Sequence, residues 1–72
     1  MSPKSPRITA DELIRMIEKK GFKLARQSGS HKIFKNDLGV RITIPYHKGK
    51  TIHPKITQKI MKDADIKQEN FN

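Results

Sequence analysis

The apolar period of this chain changes twice, and nothing else in the sequence constrains its fold as much. Leu13, Ile14 and Ile17, with Met16 beside them, recur at the spacing of one helix face. After Gly21 the period drops to two. The clearest stretch is Val40, Ile42 and Ile44 alternating with Arg41 and Thr43, as a half-buried strand requires. Beyond Pro54 the helical spacing returns at Ile56, Ile60, Met61 and Ala64. Helix, strands, helix is therefore the expected order.

Local signals place the boundaries. Thr9 followed by Glu12 forms a capping box, in which each side chain satisfies a backbone N–H at the other's position. Ile8 and Leu13 stand where a hydrophobic staple packs. Asp11 and Glu12 suit the positive end of the helix dipole, and Lys19 and Lys20 the negative end. Gly21 fits the left-handed residue that ends such a helix, so it should run from about Ala10 to Lys20. Phe22, Leu24 and Arg26 are expected on one face of a first strand, with Lys23 and Ala25 on the other. Gln27-Ser28-Gly29-Ser30 is a turn cluster, and His31 to Lys35 a second strand. Asn36-Asp37-Leu38-Gly39 connects it to the third strand, which Pro45 closes because proline cannot donate to a ladder. Pro54 suits the first turn of the second helix.

The order α-β-β-β-α with short links predicts an α+β domain: a three-stranded antiparallel sheet with two helices on one face. Seventy-two residues hold one domain at most. It should span residues 8–66, with a disordered polar leader at 1–7 and a frayed tail at 67–72. A domain this small buries only about 60% of the surface its unfolded chain exposes. Its expected core is Leu13, Ile14, Ile17, Phe22, Leu24, Ile33, Phe34, Val40, Ile42, Ile44, Ile56, Ile60, Met61 and Ile66. No deep cofactor cleft fits in such a core, so chemistry should occur on a surface.

Charge narrows the function. The formal net charge is +9. Between Lys19 and Lys62 the only acid is Asp37; the other acids lie towards the ends. A basic centre is the electrostatic footprint of a nucleic-acid binder, and it also attracts an acidic protein. The bland alternative is a lysine-rich surface kept for solubility. Cysteine is absent, which removes disulfides and thiolate metal sites. The three histidines show no zinc spacing, and the centre lacks the clustered carboxylates of two-metal phosphodiester chemistry. No metal or other cofactor is expected. No apolar run reaches the length of a membrane span or signal-peptide core, so a cytoplasmic protein without a membrane partner is expected.

His31 lies inside the basic stretch Gln27-Ser28-Gly29-Ser30-His31-Lys32-Ile33-Phe34. Imidazole both takes and gives a proton near neutral pH. Surrounded by cations, it points to a phosphodiester substrate and leaves two choices, a nuclease or a plain nucleic-acid binder. The ordinary alternative is that His31 merely begins a strand.

The capped helix, Gly21-Phe22, Arg26-Gln27-Ser28-Gly29-Ser30-His31, the hairpin and Pro45-Tyr46-His47-Lys48-Gly49-Lys50 together resemble the HicA (YcfA-like) toxins of HicA–HicB toxin–antitoxin pairs. The similarity covers Ile8 to Ile66. It implies a double-stranded-RNA-binding-domain-like fold, mRNA cleavage without a required metal, an essential histidine at His31, and inhibition by a HicB antitoxin. One departure is Ala64-Asp65, where the family commonly carries Ala-Gly. Aspartate tolerates the left-handed conformation less well than glycine, which bears on the stop of the second helix.

On RNA, His31 is the candidate proton-transfer group and Arg26, Lys32 and Lys35 the sources of positive charge. Backbone N–H groups of Ser28-Gly29-Ser30 offer an anion-binding concavity. His47 is either a second acid–base group or a phosphate-binding or structural residue. Lys48 and Lys50 flank Gly49, which lets that loop approach a phosphate closely. Tyr46 either stacks on a base or covers the sheet edge. Lys55, Lys59 and Lys62 share one face of the second helix, either solvated or on an RNA backbone. His53 reads as a residue leading into that helix. The competing readings are a non-catalytic RNA-binding module and a protein-interaction module whose basic face docks an acidic partner.

Overall fold

The computed structural model describes residues 7–66; the rest of the expected leader and the whole expected tail lie outside the described residues. The elements are α1 (Ala10–Lys19), β1 (Lys23–Ser28), β2 (His31–Lys35), β3 (Arg41–Pro45) and α2 (Pro54–Asp63). The strands form one antiparallel sheet in the order β1-β2-β3. The expected α+β order is the observed one.

The α1 capping box is present. Glu12 N–H donates to Thr9 Oγ1 at 3.2 Å, and Thr9 N–H donates to Glu12 Oε1 at 2.8 Å. Ile8 and Leu13, the two staple positions, are both buried. The helix ends in a Schellman motif: Gly21 N–H reaches Glu18 O at 3.0 Å and Phe22 N–H reaches Ile17 O at 3.1 Å. Gly21 takes φ +94°, which only glycine adopts without strain.

The second helix stops by the same device, without glycine. Asp65 takes φ +59°, its N–H reaches Lys62 O at 3.2 Å, and Ile66 N–H reaches Met61 O at 2.8 Å. Aspartate is among the few residues that visit the left-handed region. Ile66 is buried, and that contact with the core helps hold the stop. Asp65→Gly should therefore raise stability by about 0.5–1 kcal/mol, read as a higher urea midpoint at unchanged slope. At its start α2 is capped by His53, whose Nδ1 accepts from Lys55 N–H at 3.1 Å. The two helix starts are tied together, because Ile52 N–H donates to Ile8 O at 2.8 Å and Thr9 bridges Thr51.

The core lies between the helices and one face of the sheet. It is built from Leu13, Ile17, Phe22, Phe34, Ile42, Ile44, Ile60, Met61 and Ile66 as expected, joined by Ile8, Ala10, Ile52 and Ala64. Three expectations change. Leu24 is 52% exposed, because it sits on an edge strand beyond the cover of the helices. Ile56 is 41% exposed, since Thr57 rather than Ile56 faces the core on the first turn of α2. Ile33 is half-buried on the open face of the sheet, whereas half-buried Ile14 and Val40 pack against the core as expected. Nothing in the structure explains why the buried Thr57 carries a hydroxyl, whose Oγ1 has no partner.

The first strand also departs from simple alternation. Leu24 pairs with Phe34 and Arg26 with Ile33, so a bulge at Ala25 separates them. Phe34 faces the helices and Ile33 does not, which puts Leu24 and Arg26 on opposite faces. The expectation that they share a face fails because the bulge inserts an extra residue on β1. Lys23 and Arg26 thereby end up on the same, uncovered side.

Candidate functional site

The alternation of β2 sorts the candidate residues. Phe34 is buried beneath the helices, so Lys32 lies on that side, while His31, Ile33 and Lys35 face the open side of the sheet. Cross-strand partners share a face. Ser28, His31 and Pro45 therefore form one row across the open face, and Arg26, Ile33 and Thr43 the next. Lys23, Lys35 and Arg41 form a third. A shallow depression of about 280 Å³ lies on this face, lined by Ala25, Arg26, Ile33, Lys35 and Arg41.

His31 owes its position to the turn before it. Ser28 and His31 are Cα partners, leaving Gly29-Ser30 as a two-residue loop. Gly29 takes φ +58°, and Ser30 is not among the positive-φ residues, which fits a type II′ hairpin. Gln27 Nε2 donates to Gly29 O at 3.0 Å and steadies the loop. Among the described residues, neither the Gly29 nor the Ser30 N–H has an acceptor. Two free donors thus precede an exposed imidazole on the open face.

On the helix side of the same strand, Tyr46 is clamped. Its N–H donates to Ser30 O at 2.6 Å, its hydroxyl donates to Asp11 Oδ2 at 3.2 Å, and Lys32 Nζ sits 3.9 Å from its ring centroid. Lys32 already occupies one face of that ring. Lys32 and Tyr46 thus form a separate cluster that backs onto His31 and does not adjoin it on the open face. The hydrogen bond to Asp11 raises the Tyr46 phenol above its ordinary value, with desolvation and the Asp11 charge adding to the effect. A raised value favours the neutral form in the folded chain. This contribution is therefore complete below pH about 10 and lost as pH rises through the raised value. Tyr46 is the only tyrosine and tryptophan is absent, so tyrosinate absorbance reads it directly. Asp11→Ala should move that titration down towards an ordinary phenol, and an unmoved midpoint would contradict the contact.

His47 lies two residues beyond Pro45, the partner of His31. It opens a turn in which Lys50 N–H donates to His47 O at 3.0 Å and Gly49 takes φ +78°, as position three of a type II turn demands. Lys48 and Lys50 are exposed beside it. The two histidines come from neighbouring ends of paired strands, and no hydrogen bond joins them.

The family model described as the HicA toxin of bacterial toxin–antitoxin matches residues 10–66, from the first turn of α1 to buried Ile66 after α2. The chain belongs to the HicA toxin family. It is thus the toxin component of a toxin–antitoxin pair. No curated protein sequence matches the chain.

In this HicA chain the lysines of α2 stand apart from the open sheet face. Lys55, Lys59 and Lys62 are exposed on the helix, away from buried Thr57, Ile60 and Met61. Lys59 pairs with Asp63 at 3.1 Å, the one ion pair among the described residues. An exposed i,i+4 pair of this kind is worth about 0.3–0.5 kcal/mol. Among the described residues no group of three His, Cys, Asp or Glu gathers as metal ligands. No helix among them is long and apolar enough to cross a membrane. Lys23 and Arg41, absent from the expected site, share the open face with Arg26, Lys35 and His31. Arg41 was legible as an outward residue of β3, but the side of Lys23 relative to Arg26 depends on the bulge.

Proposed function

We propose that this HicA chain is an endoribonuclease that cleaves mRNA in the cytoplasm without a metal, with His31 transferring the proton, and that a HicB-like antitoxin restrains it. The observation that carries the reading is the setting of His31, exposed at the end of the Gly29-Ser30 turn on a sheet that contains no acidic residue.

RNA carries its own nucleophile. The 2′-hydroxyl loses a proton and attacks the adjacent phosphorus, the bond to the 5′-oxygen breaks, and that oxygen takes a proton. His31 serves as the group that removes or returns the proton, a contribution of roughly 10²–10⁴-fold. The crowded phosphorus gains negative charge on the way. The free N–H groups of Gly29 and Ser30 and the Arg26 cation favour that charge, while Lys35, at the far end of β2, attracts the RNA strand more generally. His47, flanked by Lys48 and Lys50, supplies a second imidazole or a phosphate contact. Lys32 holds Tyr46, which ties the loop after β3 to α1, so its part in this scheme is to keep His47 and His31 on adjoining segments.

Expression of the chain in bacteria tests the reading. Growth should stop while mRNA is lost, and co-expression of a HicB-like antitoxin should restore both. RNA that is bound and left uncut would identify a non-catalytic binding module instead.

A further inference from the structure

We infer that the open face of the sheet is a phosphate track, in which the cross-strand row Lys23–Lys35–Arg41, two of whose members were absent from the expected site, holds the RNA backbone downstream or upstream of the bond beside His31. The inference rests on the ribonuclease reading and adds where the substrate lies.

Register carries the argument. Lys23 is the Cα partner of Lys35, and Lys35 is the partner of Arg41. Three cations therefore stand side by side across all three strands. Directly opposed like charges destabilise a sheet, since their Cβ atoms lie only about 4.5–5.5 Å apart. None of the three side chains has an ion-pair or hydrogen-bond partner among the described residues. Arg26 adds a fourth cation in the next row, again without an acid on the face.

Protection against edge-to-edge pairing does not account for the row. Lysine commonly guards edge strands, and that suffices for Lys23 on β1. Lys35, however, is on the central strand, where there is no edge to guard. A polyanion laid on the face resolves the repulsion. The depression between Arg26, Ile33, Lys35 and Arg41 gives it a seat, with half-buried Ile33 as an apolar floor. His31 and Lys35 are four residues apart on one strand, or roughly 13 Å at strand rise, which places the track beside the imidazole but beyond a single phosphate. The α2 lysines face elsewhere, and Lys59 is already engaged with Asp63.

The test uses a single-stranded oligoribonucleotide methylated at every 2′-oxygen, which cannot supply the nucleophile and so reports binding alone. Its affinity is measured against salt for the wild type, for Lys35→Gln/Arg41→Gln, and for Lys55→Gln/Lys62→Gln. Each lost phosphate contact lowers the slope of log K against log salt by about 0.7, so the sheet variant should lose about 1.4 and the helix variant none. The sheet variant should melt no lower than the wild type, because it relieves repulsion. Lys35→Arg/Arg41→Lys, which keeps both charges, should keep the slope. Wild-type binding with an unchanged slope in the sheet variant overturns the track alone, even if that variant weakens binding to an acidic protein. Absence of wild-type binding overturns the ribonuclease reading together with the track.

Discussion

Phe34→Ala should lower the unfolding free energy by about 3–5 kcal/mol. Phe34 is 2% exposed and lies on the central strand, packed beneath the helices. Removing a buried phenyl ring costs about 3–5 kcal/mol, part transfer and part cavity. A chain of this size has a total stability on the order of 4–10 kcal/mol. The substitution thus removes a third or more of the stability, and most of it if the chain lies at the lower end. Circular dichroism and urea unfolding check this directly. Leu24→Ala is the matched control, since Leu24 lies on the same face one strand away and is exposed. It should shift the urea midpoint only slightly. Equal effects at the two positions would mean that the helices do not cover the sheet as described.

His31→Ala should lower the rate of RNA cleavage by roughly 10²–10⁴-fold, the usual contribution of one positioned acid or base. Its effect on stability should be within about 0.5 kcal/mol, because an exposed side chain outside a packed or hydrogen-bonded network costs little to truncate. The separation of these two effects is what distinguishes chemistry from structure. Single-turnover cleavage and a thermal melt on the same preparation measure both. A variant that melts well below the wild type would assign His31 to the hairpin rather than to the reaction.

Much of the fold was legible because its signals are local. The Thr9–Glu12 capping box, the stop at Gly21 and the alternation around Ile42 and Ile44 each involve residues a few positions apart. What escaped depends on pairing between distant residues. The bulge at Ala25 is decided by how β1 meets β2, and one extra residue there reverses the relation between Leu24 and Arg26. The exposure of Leu24 follows from its place on an edge, which strand periodicity does not encode. His53 was legible as the residue leading into α2, but its capping hydrogen bond was not, because histidine is not among the residues that usually cap a helix. Asp65 stops a helix where glycine was the expected residue, helped by the burial of Ile66.

The candidate site divides in the same way. The place of His31 after a Gly-Ser turn could be read directly, since turn chemistry and strand period both act over a few residues. The contact between Tyr46 and Asp11 joins residues 35 positions apart and leaves no local trace. Lys32 was grouped with His31 because they are neighbours in sequence, yet in a strand neighbours point to opposite faces. The row Lys23–Lys35–Arg41 appears only when the register of three strands is known.

In the proposed reaction His31 transfers the proton and no metal takes part. The most direct measurement incubates labelled single-stranded RNA in EDTA with the wild-type protein and with His31→Ala, side by side. The wild type should cleave the RNA, and the folded variant should leave it intact. Equal cleavage by both proteins, or cleavage by the wild type only after a divalent cation is restored, would contradict it.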